Sequence, residues 1–336
     1  MRVAVIGAGS WGTTIAAIAS ANADVIIWAR RRELADRINA ERANPDYLAG
    51  FFLSGDLVAT SDLERALDNA DLVVVGVPSH GYRVVLEQTR GLIAPSTPVI
   101  SLTKGIETDT GMRMSEVTLE ILTGHEPAAV GVLSGPNLAV EIMEGQPAAT
   151  VIAMGDTDAA ARIQPVFNTP RFRVYTNPDV VGVELAGATK NVIAIAAGVS
   201  TGLGFGMNTM ATLATRGLAE MTRLGIALGG QALTFGGLAG VGDLMATCGS
   251  PRSRNNRVGY QLGRGRTIDA ILADMTMVAE GVKTTRPVLD LAARHGVEMP
   301  IAEAVGRILH DGETVQQAMA ALMGRAPKSE GHGIVP

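Results

Sequence analysis

A short aliphatic run at residues 3–6 ends on Gly7-Ala8-Gly9-Ser10-Trp11-Gly12 and gives way to a helical stretch over 13–21. Few chains can begin in this way. The run is too short and too uniformly apolar for a surface strand, and the glycines permit a turn that few other residues can make. Similar runs recur at 25–28, 72–77, 99–102, 129–133 and 150–153, with helical stretches between them. Continuous rather than alternating apolar character suits strands covered on both faces. Ser61-Asp62-Leu63-Glu64 reads as a capping box opening one of the intervening helices. The alternation continues to about residue 175 and predicts an α/β, Rossmann-type doubly wound domain.

After Asn177-Pro178-Asp179 the pattern changes. Asn as N-cap, Pro in the first turn and Asp at the positive dipole end predict a helix start there. Ala-, Leu- and Met-rich stretches follow at 268–275, 288–295, 302–309 and 315–323, broken by glycine or proline. With 336 residues, two domains are expected. They divide as 1–177, a dinucleotide-type sheet domain, and 178–326, an all-α substrate domain, with a disordered tail at 327–336.

Composition narrows the function. Apolar residues make up 47% of the chain, ample for two cores. Basic residues number 28 against 33 acidic, and aromatics are 4%, a poor balance for binding nucleic acid or a membrane surface. Cys248 is the only cysteine, so there is no intrachain disulfide, and the five histidines form no pair at metal-ligand spacing. Residues 191–215 carry no charge over a membrane-spanning length, but their threonines, asparagines and glycines fit buried helices broken by a turn better. No signal peptide opens the chain, and a cytoplasmic location without stable membrane insertion is expected.

The glycine motif carries chemistry because of its place between strand and helix. Gly7 would make the tight turn, Gly9 would admit a pyrophosphate to the backbone, and Gly12 would let helix and strand approach. The helix N-terminus would then present free N–H groups to phosphate. Beyond the second strand, where NAD binders usually carry an acid, stand Arg30, Arg31 and Arg32. They favour the 2′-phosphate of NADP, with NAD as the other choice and a solvated arginine cluster as the bland alternative. Lys104 falls at a later strand end, where ligands sit in such sheets.

Lys190 lies mid-helix in an apolar stretch, with Ala186, Gly187, Ile193 and Ala194 three and four residues away. Desolvation and neighbouring cations would lower its pKa from about 10.4 toward the range of a working base. Gly240-Val241-Gly242-Asp243 forms a glycine turn bearing an acid. In Ser253-Arg254-Asn255, a capping hydroxyl, a guanidinium fork, an amide and a helix N-terminus make a phosphate site. The clustered arginines at 252–266 could instead contact RNA, but only Tyr260 supplies an aromatic there.

Taken together these segments resemble the bacterial-type NAD(P)-dependent glycerol-3-phosphate dehydrogenases. The resemblance runs in order through residues 7–13, 28–31, 102–105, 134–139, 184–191, 240–243, 250–255 and 278–281. It implies a C-terminal domain like that of 6-phosphogluconate dehydrogenase. It implies that Lys190 is the proton acceptor, and that Lys104, Gly135, Lys190, Asp243, Ser253, Arg254 and Asn255 contact sn-glycerol 3-phosphate. The family often has serine where this chain has Asn137, which keeps a donor and an acceptor for the same contact. Beside the glycines, Ser10, Trp11, Arg30, Arg31, Tyr47 and Lys104 would line the cofactor, as would Ala139, Arg254, Val278 and Glu280. The family uses NAD and NADP, with NADP favoured here by the arginines. A homodimer and a product feeding glycerophospholipid synthesis are further family expectations.

The expected reaction is reversible reduction of dihydroxyacetone phosphate to sn-glycerol 3-phosphate. Lys190 would accept the C2 hydroxyl proton in one direction and return it in the other. Asp243 would orient the lysine or the substrate hydroxyls, while Ser253, Arg254 and Asn255 hold the phosphate. Two other readings share the architecture. A ketopantoate-type reductase would need a carboxylate site in place of the phosphate site. A non-catalytic dinucleotide sensor would have no use for a lysine in an uncharged helix.

Overall fold

Among the described residues eight of ten strands form one sheet, whose central strands are apolar on both faces. In chain order the strands are β1 (Arg2–Ile6), β2 (Asp24–Trp28), β3 (Ala43–Asn44), β4 (Leu48–Phe52), β5 (Val58–Thr60), β6 (Leu72–Val75), β7 (Val99–Ser101), β8 (Val130–Ser134), β9 (Ala148–Met154) and β10 (Phe172–Asn177). The sheet runs β10-β9-β8-β7-β6-β1-β2-β5, and β3 pairs with β4 in a separate hairpin. From β5 through β8 every neighbouring pair is parallel, the doubly wound order with its reversal between β1 and β6. β9 runs antiparallel to β8, and β10 is parallel to β9. Ile6 lies opposite both Trp28 and Val75, so β1, β2 and β6 end level and their following turns emerge side by side.

The computed structural model describes residues 1–53, 56–275 and 277–330. They fall into two units, one of Met1–Thr103 with Met114–Val180, the other of Lys104–Arg113 with the chain from Val181 onward. The division at 177 kept residues 104–113 with the sheet. Instead, Ile106, only 1% exposed, joins the helical core, and Arg113 pairs with Glu184 at 2.6 Å. Two local expectations also change. Asp62, not Ser61, caps the helix Leu63–Leu67, accepting from the Arg65 N–H at 3.1 Å. Asn177 is the last residue of β10, and its Oδ1 accepts the Asp179 N–H just before the helix Val180–Gly202. Within the expected tail, residues 331–336 lie outside the described residues.

The second unit is helical. Its central helix, Val180–Gly202, is long and apolar enough to cross a membrane, but 83% of that stretch is buried inside the protein. Gly198 and Gly202 face the helix Arg254–Gly263. A Cβ on Gly198 would lie 2.0 Å from the Asn256 carbonyl oxygen, and one on Gly259 would lie 1.9 Å from that of Ile195. Both helices carry a glycine-x-x-x-glycine stripe, 198/202 and 259/263, so their backbones approach as no bulkier residue would allow. This close approach accounts for part of the chain's large glycine content and seats the Ser253–Asn255 segment.

Candidate active site

In the sheet unit, the glycine turn has the geometry its sequence predicts. A Cβ on Gly7 would lie 2.7 Å from the Gly76 carbonyl oxygen, and one on Gly12 would lie 2.0 Å from that of Gly7. A Cβ on Gly9 would meet nothing within 4 Å, so the chain is exposed to a ligand there. Gly9 is the N-cap of the helix Ser10–Ala19, whose first turn carries no acid. Free N–H groups, a positive dipole end and the reversal between β1 and β6 all fit a dinucleotide pyrophosphate.

The hairpin β3–β4 folds over this turn, a contact the sequence did not reveal. Asn44, fully buried, donates to the Ala8 carbonyl at 2.9 Å and to Thr13 Oγ1 at 2.8 Å. Its Oδ1 accepts the Tyr47 N–H, and Ser10 Oγ donates to the Tyr47 carbonyl at 2.7 Å. Trp11 packs against Phe172 with ring centroids 6.3 Å apart. Beyond β2, Arg31 pairs with Asp46, as does Arg37 at 3.0 Å. Arg32 reaches Asp36 at 3.8 Å, and Arg30 is exposed. Ala139 opens the helix Ala139–Met143, which packs on the glycine-turn helix. Gly135 sits against β9 at Thr150, and the Asn137 amide donates to Thr150 Oγ1 at 3.0 Å.

The helical unit holds a compact polar cluster in an apolar core. Lys190, 6% exposed, donates to Asp243 Oδ1 at 2.8 Å and to Thr247 Oγ1 at 2.6 Å. Lys104 donates to the other carboxylate oxygen, Oδ2, at 2.7 Å. Asp243 is 2% exposed. It follows a wide turn over Leu238–Gly242, in which the Gly242 N–H reaches back five residues to the Gly237 carbonyl. Such widened turns within helices are frequent at functional sites. Thr247, one helical turn beyond Asp243, was missed by the sequence reading; the spacing of four residues on one face was its available signal.

Burial dominates the electrostatics of this cluster. Desolvation, aided by the Lys104 charge and opposed by Asp243, lowers the Lys190 amine to about 8. Burial would raise the Asp243 carboxyl, but Lys104 and Lys190 together hold it below the ordinary carboxylate value. Two ammonium groups on one carboxylate leave a net positive site, suited to an anionic substrate or a developing alkoxide. Burial pushes the adjacent Cys248 thiol up to about 12, so it stays protonated and packs as a small apolar group.

The remaining residues of the unit connect to this cluster through amides. Asn255 donates to Asn191 Oδ1 at 2.8 Å and accepts the Gly281 N–H at 2.9 Å. Asn191 donates to the Lys104 carbonyl at 3.1 Å. The Ser253 hydroxyl caps the helix Arg254–Gly263 by accepting the Asn256 N–H. Arg254 is exposed at the first turn, within electrostatic reach of Glu280, which opens the helix Glu280–Arg294 just beyond Val278. Lys104, Lys190 and Asp243 thus bond one another directly, with Thr247 beside them, while Asn255 reaches the Lys104 backbone through Asn191 and Ser253 caps the helix that carries Asn255.

The relatives of this chain agree with that chemistry. Residues 2–160 match the family described as NAD-dependent glycerol-3-phosphate dehydrogenase N-terminus, and residues 179–320 match the corresponding C-terminus. Glycerol-3-phosphate dehydrogenase [NAD(P)+] 2 of Sphingopyxis alaskensis is 51% identical over 99% of both chains. The Mycobacterium avium enzyme of the same family is 50% identical over 99% of this chain and 97% of its own. The crystal structure of glycerol-3-phosphate dehydrogenase from Coxiella burnetii superposes with a TM-score of 0.90 at 37% identity, covering 96% of this chain and 99% of that one. The chain belongs to the NAD(P)-dependent glycerol-3-phosphate dehydrogenase family.

Proposed function

We propose that this chain reversibly reduces dihydroxyacetone phosphate to sn-glycerol 3-phosphate with NADPH in preference to NADH. The observation that carries the chemistry is the buried Lys104–Asp243–Lys190 cluster, closed by Thr247. When bound, the nicotinamide supplies or accepts hydride at its C4. The Lys190 ammonium donates its proton to the C2 carbonyl oxygen during reduction, and the neutral amine takes it back during oxidation. An amine of pKa about 8 holds both forms near neutrality. Asp243 keeps Lys190 and Lys104 in place and prevents two cations from standing unopposed. The capped helix start at Ser253, with Arg254 and Asn255, holds the phosphate remote from the reacting carbon.

The preference for NADPH rests on Arg30 and Arg31 at the end of β2 and on the lack of an acid there. Gly135, Asn137 and Ala139 complete the expected ligand contacts on the sheet unit, with Val278 and Glu280 on the helical one. We read the working enzyme as a cytoplasmic homodimer, as expected of its family, without membrane insertion; the burial of the long apolar helix found among the described residues supports the last point alone.

The test follows NADPH oxidation with dihydroxyacetone phosphate, with dihydroxyacetone, with ketopantoate and without added ketone. Turnover only with the phosphorylated ketone is expected. Equal turnover with dihydroxyacetone would overturn the phosphate assignment, and turnover with ketopantoate would overturn the substrate. A kcat/KM for NADH equal to that for NADPH would overturn the cofactor preference. Light scattering that finds a monomer would overturn the homodimer.

A further inference from the structure

At the C-terminal end of the second strand, doubly wound dinucleotide folds decide between the two nicotinamide cofactors. An acid there accepts the ribose 2′-hydroxyl and repels a 2′-phosphate, whereas an arginine receives the phosphate. In this chain the strand end carries only arginines, but the fold brings a carboxylate to them. Asp46, on the turn of the β3–β4 hairpin, pairs with Arg31 and with Arg37, the latter at 3.0 Å. Arg31 is the N-cap residue of the helix that follows β2. From its place in the fold it is the arginine a 2′-phosphate would meet, and its guanidinium is already on a carboxylate.

This placement is built. Asn44, two residues before Asp46, is fully buried and bonded to Ala8 and Thr13 of the glycine turn. Ser10 Oγ holds the Tyr47 carbonyl, one residue after Asp46. The hairpin turn is therefore fastened on both sides of Asp46 to the segment that would carry the pyrophosphate. These bonds hold the Asp46 backbone beside the strand end that carries Arg31. Arg31 on one side and Arg37 on the other keep the carboxyl ionised.

We infer that Asp46 is a specificity-determining residue, the acid that moderates the NADPH preference of this enzyme by engaging Arg31 and opposing the 2′-phosphate. The acid usually found at the strand end is supplied here from 18 residues farther along the chain than Trp28, on a hairpin. The inference rests on the cofactor reading above, in that it assumes the 2′ position of the ribose lies near Arg31. It extends that reading by naming what limits it: a dianion approaching Arg31 must share the guanidinium with Asp46 and accept a like charge nearby.

The experiment compares the ratio of kcat/KM for NADPH to that for NADH in wild type, Asp46→Asn, Arg37→Gln and Arg31→Ala. Asn keeps the size and hydrogen-bonding atoms and removes the charge. A unit charge about 6 Å from a phosphate dianion in water corresponds to roughly a five- to tenfold effect, so Asp46→Asn should raise the ratio by about that factor. The gain should appear mainly in KM for NADPH and shrink as salt is added. Arg37→Gln removes a cation that competes for Asp46 and should lower the ratio. Arg31→Ala should also lower it and should diminish the effect of a second change, Asp46→Asn.

If Asp46 only braces the hairpin, both cofactors will weaken together and the ratio will not move, which overturns the inference. A ratio that falls in Asp46→Asn overturns it as well. The cofactor reading fails separately: a wild-type ratio below one refutes the NADPH preference, while a rise in Asp46→Asn would still sustain the role of Asp46.

Discussion

One arrangement recurs in both units: two cations on a single carboxylate. On the sheet unit, Arg31 and Arg37 share Asp46, and on the helical unit, Lys104 and Lys190 share Asp243. The first is half in water, with Arg31 at 51% and Asp46 at 26% side-chain exposure. In the second, no member exceeds 13%. In the exposed trio the Arg31 hydrogen bond holds the Asp46 carboxyl below its ordinary value and solvent screens the charges, so the trio can bias which ligand binds but cannot exchange protons with it near neutrality. In the core, desolvation brings the amine to about 8, where it can do so. Arginine would not serve in the buried trio, because its guanidinium does not give up a proton at any working pH. Burial makes the difference between a site that selects and a site that reacts.

The most drastic way to break the comparison is to remove the reacting amine. Lys190→Ala should lower kcat by about 10²- to 10⁴-fold, the span of general acid–base catalysis. Cofactor affinity, read by quenching of protein fluorescence, should change little. Unchanged kcat would return Lys190 to the role of a buried structural charge.

Next comes the carboxylate. Asp243→Asn leaves two buried cations without a counter-charge and should destabilise the fold by about 3–5 kcal/mol in denaturant titration. Its effect on protonation has a definite sign. Because Asp243 raises the Lys190 pKa, its loss should move the midpoint of the pH profile below about 8. In wild type, oxidation of glycerol 3-phosphate should increase as pH rises through about 8, where the neutral amine forms, and reduction should decline above it. A wild-type profile flat between pH 7 and 9 in both directions would exclude Lys190 as the proton carrier.

A smaller effect tests what holds the buried trio in position. Gly259→Ala would place a methyl 1.9 Å from the Ile195 carbonyl oxygen, and the overpacking should cost about 1–3 kcal/mol. Asn255 and Ser253 lie at the start of the same helix, so KM for dihydroxyacetone phosphate should rise as well. A rise in KM without loss of stability would mean that the helix moves freely and the glycine stripe is not needed. The smallest effect belongs to the exposed trio. Asp46→Asn should shift Tm by no more than about 2 °C, since solvent already compensates its charges. A larger loss would place Asp46 with the buried trio as a structural acid.

Much of this was legible along the chain. The buried strands β1, β2, β6, β7 and β8 are continuous aliphatic runs, and burial on both faces is what makes such a run recognisable. β5 and β10 escaped because they are edge strands, with β10 alternating between buried and exposed residues. Lys190 was legible because a cation mid-helix among alanines, glycines and valines is costly unless it is used. Ser253 was legible because capping is local chemistry. Thr247, Asn191 and Asn44 were not. Each matters through a partner far away in sequence, and a polar residue in a helix or short strand looks alike whether it is solvated or holds a catalytic amine.

The sequence by itself determined the central buried strands with helices between them, the glycine turn open to a pyrophosphate and the lysine that a hydrophobic helix could not leave idle. These are consequences of local backbone geometry and of patterned apolar burial, which neighbouring residues decide. Only the tertiary structure decided which charges oppose one another. It carried residues 104–113 from the sheet unit to the helical one, set Lys104 and Lys190 on separate oxygens of Asp243, and brought Asp46 to Arg31. Charge pairing depends on distance in space and on the water excluded between partners, and neither can be read from positions 139 or 15 residues apart in the chain.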